Sequence, residues 1–140
     1  MKAKNSIKKN AGFVNKFLKK ELKGNPKQLY DAASHLILHG GKRLRPFLVL
    51  KSCQMLGGKQ SDAMAAASAV EMIHNFTLVH DDIMDNDEMR HGVPTTHKKF
   101  DMPLAILAGD VLYSKAYHTI SSKSKLSSNY TTELVLSLIH

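Results

Sequence analysis

The sequence predicts an all-α protein. Three observations carry that expectation. Apolar residues recur at three- and four-residue spacing along most of the 140 residues, and Gly- and Pro-containing clusters punctuate the segments. No stretch of strict polar–apolar alternation is long enough to form a strand. With 43% hydrophobic and 23% charged residues, the composition is that of a globular chain of about one domain.

Taken in order, the first helix is expected over residues 3–23. Ile7, Val14, Phe17, Leu18 and Leu22 form its apolar stripe, and Gly24-Asn25-Pro26 stops it. A second helix is expected over 27–39, ending at Gly40-Gly41. A third begins near Arg45-Pro46, where proline is tolerated in the first turn, and stops at Gly57-Gly58. Ser61-Asp62 supply N-cap chemistry for a fourth, which runs through an Ala-rich stretch toward Asp87. Residues 91–97 read as a loop, and 103–120 as a further helix. Residues 121–129 read as a polar connection, and Thr131 or Thr132 as the cap of a last apolar helix. That helix has nothing obvious left in the chain to pack against. Residues 1–140 are therefore expected to be the N-terminal portion, truncated, of a longer single domain. No internal repeat is visible.

Charge is unevenly distributed. Residues 1–26 form a basic N-terminal helix, and residues 1–27 hold nine lysines against one acid, Glu21. Of the net +8, all of it lies there; the remaining eleven basic and eleven acidic side chains balance. A nucleic-acid reader would place Arg, Asn and aromatics on a base-reading element. No nucleic-acid partner is expected here, and a solvated lysine face on a packed helix accounts for the pattern, with contact to an anionic membrane or RNA left as the alternative. The single cysteine, Cys53, rules out an internal disulfide and fits a reduced, cytoplasmic setting. No apolar run reaches the length of a transmembrane segment, and no apolar core follows the Lys-rich start as a secretory leader would require.

The chemistry concentrates in two places. Asp81, Asp82, Asp85, Asp87 and Glu88 put five carboxylates within eight residues. On a helix Asp81 and Asp85 share a face one turn apart, as do Asp82 and Asp85, and a bound cation would relieve their repulsion. Mg²⁺ suits such a set, since it accepts one or two carboxylates and completes its shell with water and phosphate oxygens. A solvated acidic helix end is the plainer reading of the same residues. The second place is Gly40-Gly41-Lys42-Arg43-Leu44-Arg45-Pro46, three cations beside two glycines at a helix start, which favours a phosphate or diphosphate, although a basic helix start alone is a weak signal. His74 stands two turns before Asp81 on the same face, whereas His80 is expected to pack. Zinc is not expected, because the lone Cys and scattered His residues lack ligand spacing.

GGKRLRP (40–46), EMIHNFTLVHDDIMDNDEMRHG (71–92) and LAGD (107–110) together resemble the trans-isoprenyl diphosphate synthases, most of all an archaeal-type geranylgeranyl diphosphate synthase. The resemblance implies an isoprenoid synthase helical fold around a central cavity. It implies a homodimeric, Mg²⁺-dependent prenyltransferase that condenses isopentenyl diphosphate with an allylic diphosphate. Carried over by position, Lys42 and Arg45, helped by His74, would bind the diphosphate of isopentenyl diphosphate. Asp81 and Asp85, with Asp82 in support, would hold Mg²⁺ against the allylic diphosphate, which Arg90 would also contact. His91 stands where the family usually has a second arginine. It is shorter and mostly neutral at pH 7, so a weaker or pH-dependent contact is expected. Phe76 and Thr77, five and four positions before Asp81, match the chain-length positions and imply a C20 product.

The family's second aspartate-rich motif has no counterpart, because after Glu88 the only acids are the isolated Asp101, Asp110 and Glu133. These residues alone are thus expected to be inactive. Two other readings stand beside this one. One is a non-catalytic, regulatory subunit of a heteromeric synthase. The other is a metal phosphohydrolase built on His80-Asp81, which leaves GGKRLRP and Asp85 unexplained.

Overall fold

A computed structural model describes residues 2–123 of the chain, and their side chains from residue 5 onward. Six helices and one two-stranded hairpin make up this region: α1 (Lys2–Glu21), α2 (Lys27–His39), α3 (Leu44–Met55), α4 (Gln60–Met84), β1 (Met89–Arg90), β2 (Val93–Pro94), α5 (Thr96–Lys99) and α6 (Met102–Lys123). The all-α expectation holds.

The 25-residue α4 is the central element, lying against α6 and α3, with α1 laid across α3 and α4 and α2 against α6. Ala63, Ala67, Val70, Ile73 and Met72 are buried on different sides of α4, as a helix enclosed by neighbours requires. Small residues make the close α4–α6 packing possible. Ala105, Ala108, Gly109, Leu112, Ala116 and Ile120 recur at three- and four-residue spacing and are all buried on α6. Val14, Leu18 and Leu22 carry α1 into the same core, together with Leu36, Ile37 and Leu50. Lys8, Lys9, Lys16, Lys19 and Lys20 remain exposed, so the lysine-rich stretch is the solvent face of a packed helix.

Helix limits follow the breakers, with three local differences. Helix α4 begins at Gln60, because the Lys59 backbone N–H donates to Asp62 Oδ2 (3.3 Å) and Asp62 acts three residues inside the helix rather than as its cap. Helix α6 continues to Lys123, where the Ser121 and Ser122 hydroxyls donate back to the carbonyls of Tyr117 and His118. The segment expected as a plain loop contains the hairpin and the short α5. Met89 pairs with Pro94 and Arg90 with Val93. His91 and Gly92 form the two-residue turn, with φ of 52° and 80°, the positive pair that type I′ hairpins demand. The expected last helix, from Thr131 onward, lies outside the described residues. No helix among the described residues is long and apolar enough to cross a membrane.

Candidate functional site

The start of α3 is built around an arginine that faces inward. Arg43 is at φ 54°, and its guanidinium donates to Glu71 Oε1 (2.7 Å), to Asn15 Oδ1 (2.8 Å) and to the Ile37 carbonyl. Both side chains of the Arg43–Glu71 pair are nearly sealed, 3% and 6% exposed. Gly41, at φ 97°, is needed here, since a Cβ would lie 2.7 Å from the Arg43 guanidinium. Of the three cations read as a diphosphate site, Arg43 is thus the structural pin of the loop. Lys42 and Arg45 on either side of it remain exposed.

Those two, with Gly41, Arg43, Leu44, Glu71, His74 and His91, line one cavity of about 540 Å³. Lys42 and Arg45 from residues 40–46 and His74 and His91 from residues 71–92 therefore meet at one place. His74 is half-buried, and burial followed by the positive charge of Arg45 lowers its pKa from the ordinary 6.5, with Arg90 and His91 acting the same way and Glu71 opposing. Burial beside Arg45, Arg90 and His91 thus disfavours the charged form of the His74 ring. A smaller recess of about 240 Å³ shares Arg45 and His74 and continues past Val70 and Ile73 to Thr77.

The acidic end of α4 is tied to the hairpin that contributes His91 to this cavity. Asp82 is fully buried, and its Oδ1 accepts from Arg90 Nε at 2.5 Å. Arg90 also reaches Asp87 Oδ2 at 3.5 Å. Burial raises the Asp82 pKa from its ordinary 3.8, and the Arg90 hydrogen bond opposes the rise. Asp81 and Asp85 stay on one helical face: the Asp85 N–H donates to the Asp81 carbonyl (2.8 Å), so the turn remains helical through Asp85. Asp81 is half-buried and Asp85 exposed. Among the described residues no three His, Cys, Asp or Glu side chains are grouped to hold a metal ion. Two accessible carboxylates one turn apart fit Mg²⁺ completed by water and phosphate oxygens, and do not fit a fully caged ion.

Phe76 is half-buried and packs on the other side of α4, with ring centroids 4.7 Å from His80 and 5.5 Å from Tyr113 of α6. His80 packs as expected, its Nε2 3.2 Å from the Ile106 carbonyl. The Thr77 hydroxyl donates to the His74 carbonyl at 2.8 Å. Phe76 and Thr77 therefore face different surroundings, Thr77 the recess and Phe76 an aromatic wall. Sequence reasoning missed Glu71, Tyr113 and the inward turn of Arg43. Glu71, an acid in an otherwise apolar α4 segment, was the available signal for a buried ion pair.

Residues 26–139 match the polyprenyl synthetase family model. The chain is 51% identical over 112 residues to a geranylgeranyl diphosphate synthase of Saccharolobus solfataricus, covering 80% of this chain and 34% of that protein. It is 53% identical over 116 residues to a geranylgeranyl pyrophosphate synthase of Geoglobus acetivorans, covering 82% of this chain and 36% of that one. A solved structure of a geranylgeranyl pyrophosphate synthetase from Geoglobus acetivorans superposes with a TM-score of 0.87 at 48% identity, over 95% of this chain and 44% of that chain. A Thermotoga maritima geranyltranstransferase, at 30% identity, also gives 0.87, over 95% of this chain and 51% of that one. The chain thus spans about a third of the length of the curated relatives it matches. With the GGKRLRP loop and His91 lining one cavity, the hairpin's Arg90 held by the aspartate-rich helix end, and a family match over residues 26–139, this chain belongs to the polyprenyl synthetase family.

Proposed function

We propose that these residues form the cationic half and the first metal-binding half of a prenyltransferase that joins isopentenyl diphosphate to an allylic diphosphate, with geranylgeranyl diphosphate as product. The observation that supports this reading is the cavity lined by Lys42, Arg45, His74 and His91, the last carried on a hairpin whose Arg90 is held by Asp82 at the end of the helix that also bears Asp81 and Asp85. Lys42 and Arg45 hold the diphosphate of isopentenyl diphosphate by direct charge-assisted hydrogen bonds. His74 gains a proton as the anion arrives, because a nearby negative charge favours its charged form. Arg90, oriented by Asp82, contacts the allylic diphosphate and stabilises charge as the C–O bond breaks.

Asp81 and Asp85 would hold Mg²⁺, which supplies further charge neutralisation on the departing diphosphate. The carbocation so formed is attacked by the isopentenyl double bond, and loss of a proton completes the condensation. Phe76, braced by Tyr113 and His80, limits the chain to C20. Because no second aspartate-rich motif is present, these residues alone are proposed to bind substrate without turning it over.

Calorimetric titration of isopentenyl diphosphate without metal tests the reading. Arg45→Ala and Lys42→Ala should each weaken binding by about tenfold or more, the scale of a lost charge-assisted contact. Equal affinity in all three proteins would remove the cavity from the substrate site.

A further inference from the structure

The hairpin that carries Arg90 and His91 has two residues per strand, too little to hold its own orientation, since isolated hairpins are marginal even when longer. Its direction must come from its neighbours. On the α4 side Asp82 grips Arg90. On the other side the hairpin sits on the C-terminal end of α2. The His91 side chain lies so close to Gly40 that a Cβ there would be 3.1 Å from the His91 Cβ. One turn earlier on α2, buried His35 reaches the Pro94 carbonyl of β2 at 2.8 Å, across 59 residues of sequence.

The chemistry of that bond fixes the His35 ring. A carbonyl accepts only, so Nε2 carries the proton and Nδ1 keeps its lone pair. That lone pair faces Lys99 Nζ at 3.3 Å, and an ammonium donates only. His35 therefore joins α2, β2 and α5 as one neutral tautomer. Phe100 closes the ring edge-on at 5.8 Å and the His39 ring lies 5.0 Å away. Burial, then the charges of Lys99 and His39, lower the His35 pKa, against the pull of the Pro94 hydrogen bond, in keeping with a neutral ring.

We infer that His35 is a positioning residue of the diphosphate site: its Nε2–H···O=C bond to Pro94 seats the hairpin on α2 and so places His91 at the cationic cavity. This rests on the reading of that cavity as an anion site. His35 touches no substrate itself.

Calorimetry with inorganic pyrophosphate as probe, on the 140-residue chain at pH 7.5, tests this with three variants. His35→Leu fills the volume without a donor and should weaken binding about tenfold while the far-ultraviolet circular dichroism stays helical. His35→Gln can present its amide N–H near the Nε2 position and should restore affinity to within about threefold of the parent. Arg45→Ala must also weaken binding. If it does not, the anion-site reading fails whatever His35 does. If Arg45→Ala weakens binding and His35→Leu does not, or if His35→Gln is as weak as His35→Leu, the positioning role is overturned. Should His35→Leu fail to fold, the Gln comparison and the parent chain decide. Long-range ¹H–¹⁵N correlation must show His35 protonated at Nε2 and not at Nδ1, and the opposite tautomer overturns the proposal.

Discussion

Replacing Arg43 by methionine tests the pin beneath the proposed diphosphate cavity. The change keeps much of the side-chain volume and removes the guanidinium. It leaves the Glu71 carboxylate, only 6% exposed, without its partner at 2.7 Å, and takes donors from the Ile37 carbonyl and from Asn15. Breaking a buried ion pair by removing one member costs about 3–5 kcal/mol. That is a large share of the roughly 5–15 kcal/mol holding a domain of this size together. At about 3–4 °C per kcal/mol, the melting temperature should fall by about 10–20 °C.

The double variant Arg43→Met/Glu71→Leu should lose much less, because no unpaired charge stays buried. Thermal and urea unfolding followed by far-ultraviolet circular dichroism, with the two single variants, completes the cycle. If Arg43→Met melts within about 3 °C of the parent, or the double variant is no more stable than the singles, the pair is not the pin described here.

Three further outcomes follow from the geometry. His74 has a folded pKa below 6.5, so as pH falls beneath 6.5 the unfolded chain binds more protons than the native one, and stability held at neutral pH is lost through that window. An NMR titration of the His74 ring should show its pKa rising when pyrophosphate binds, and an unchanged value would place the anion elsewhere. Gly109→Ala should destabilise by about 1–3 kcal/mol despite alanine's better helix propensity, because its Cβ would lie 2.3 Å from His80 Nε2. Adding His80→Ala should recover part of that loss in urea unfolding, and no recovery would mean another contact is responsible. Phe76→Ala opens the wall shared with Tyr113 and His80, so in an enzyme that joins these residues to a second aspartate-rich half the prenyl-transfer products should extend beyond C20. An unaltered C20 pattern by chromatography would remove Phe76 from chain-length control.

The boundaries of α2 and α3 could be read from Gly40-Gly41, Pro46 and Gly57-Gly58, because breakers act through the backbone of the residues that carry them. The hairpin escaped notice because each strand has two residues, too few for an alternating pattern, and because His91-Gly92 supplies the positive φ pair more often given by Asn-Gly. The cap of α4 differed for a related reason, since the Lys59 backbone supplies the donor and Asp62 only accepts.

By itself the sequence determined the helical class, the lysine face of α1, and the two stretches rich in opposite charge, because periodicity and spacing are local properties. Only the tertiary structure decided which charges are available. Lys42, Arg43 and Arg45 look alike in a string of letters, yet Glu71, 28 residues away, draws Arg43 into the core and leaves the other two at the cavity. Asp81, Asp82 and Asp85 look equally alike, yet Arg90 pairs with a fully buried Asp82 while Asp81 stays half-buried and Asp85 exposed. A side chain's partner is set by packing between distant elements, and the cost of burying an unpaired charge makes that choice decisive.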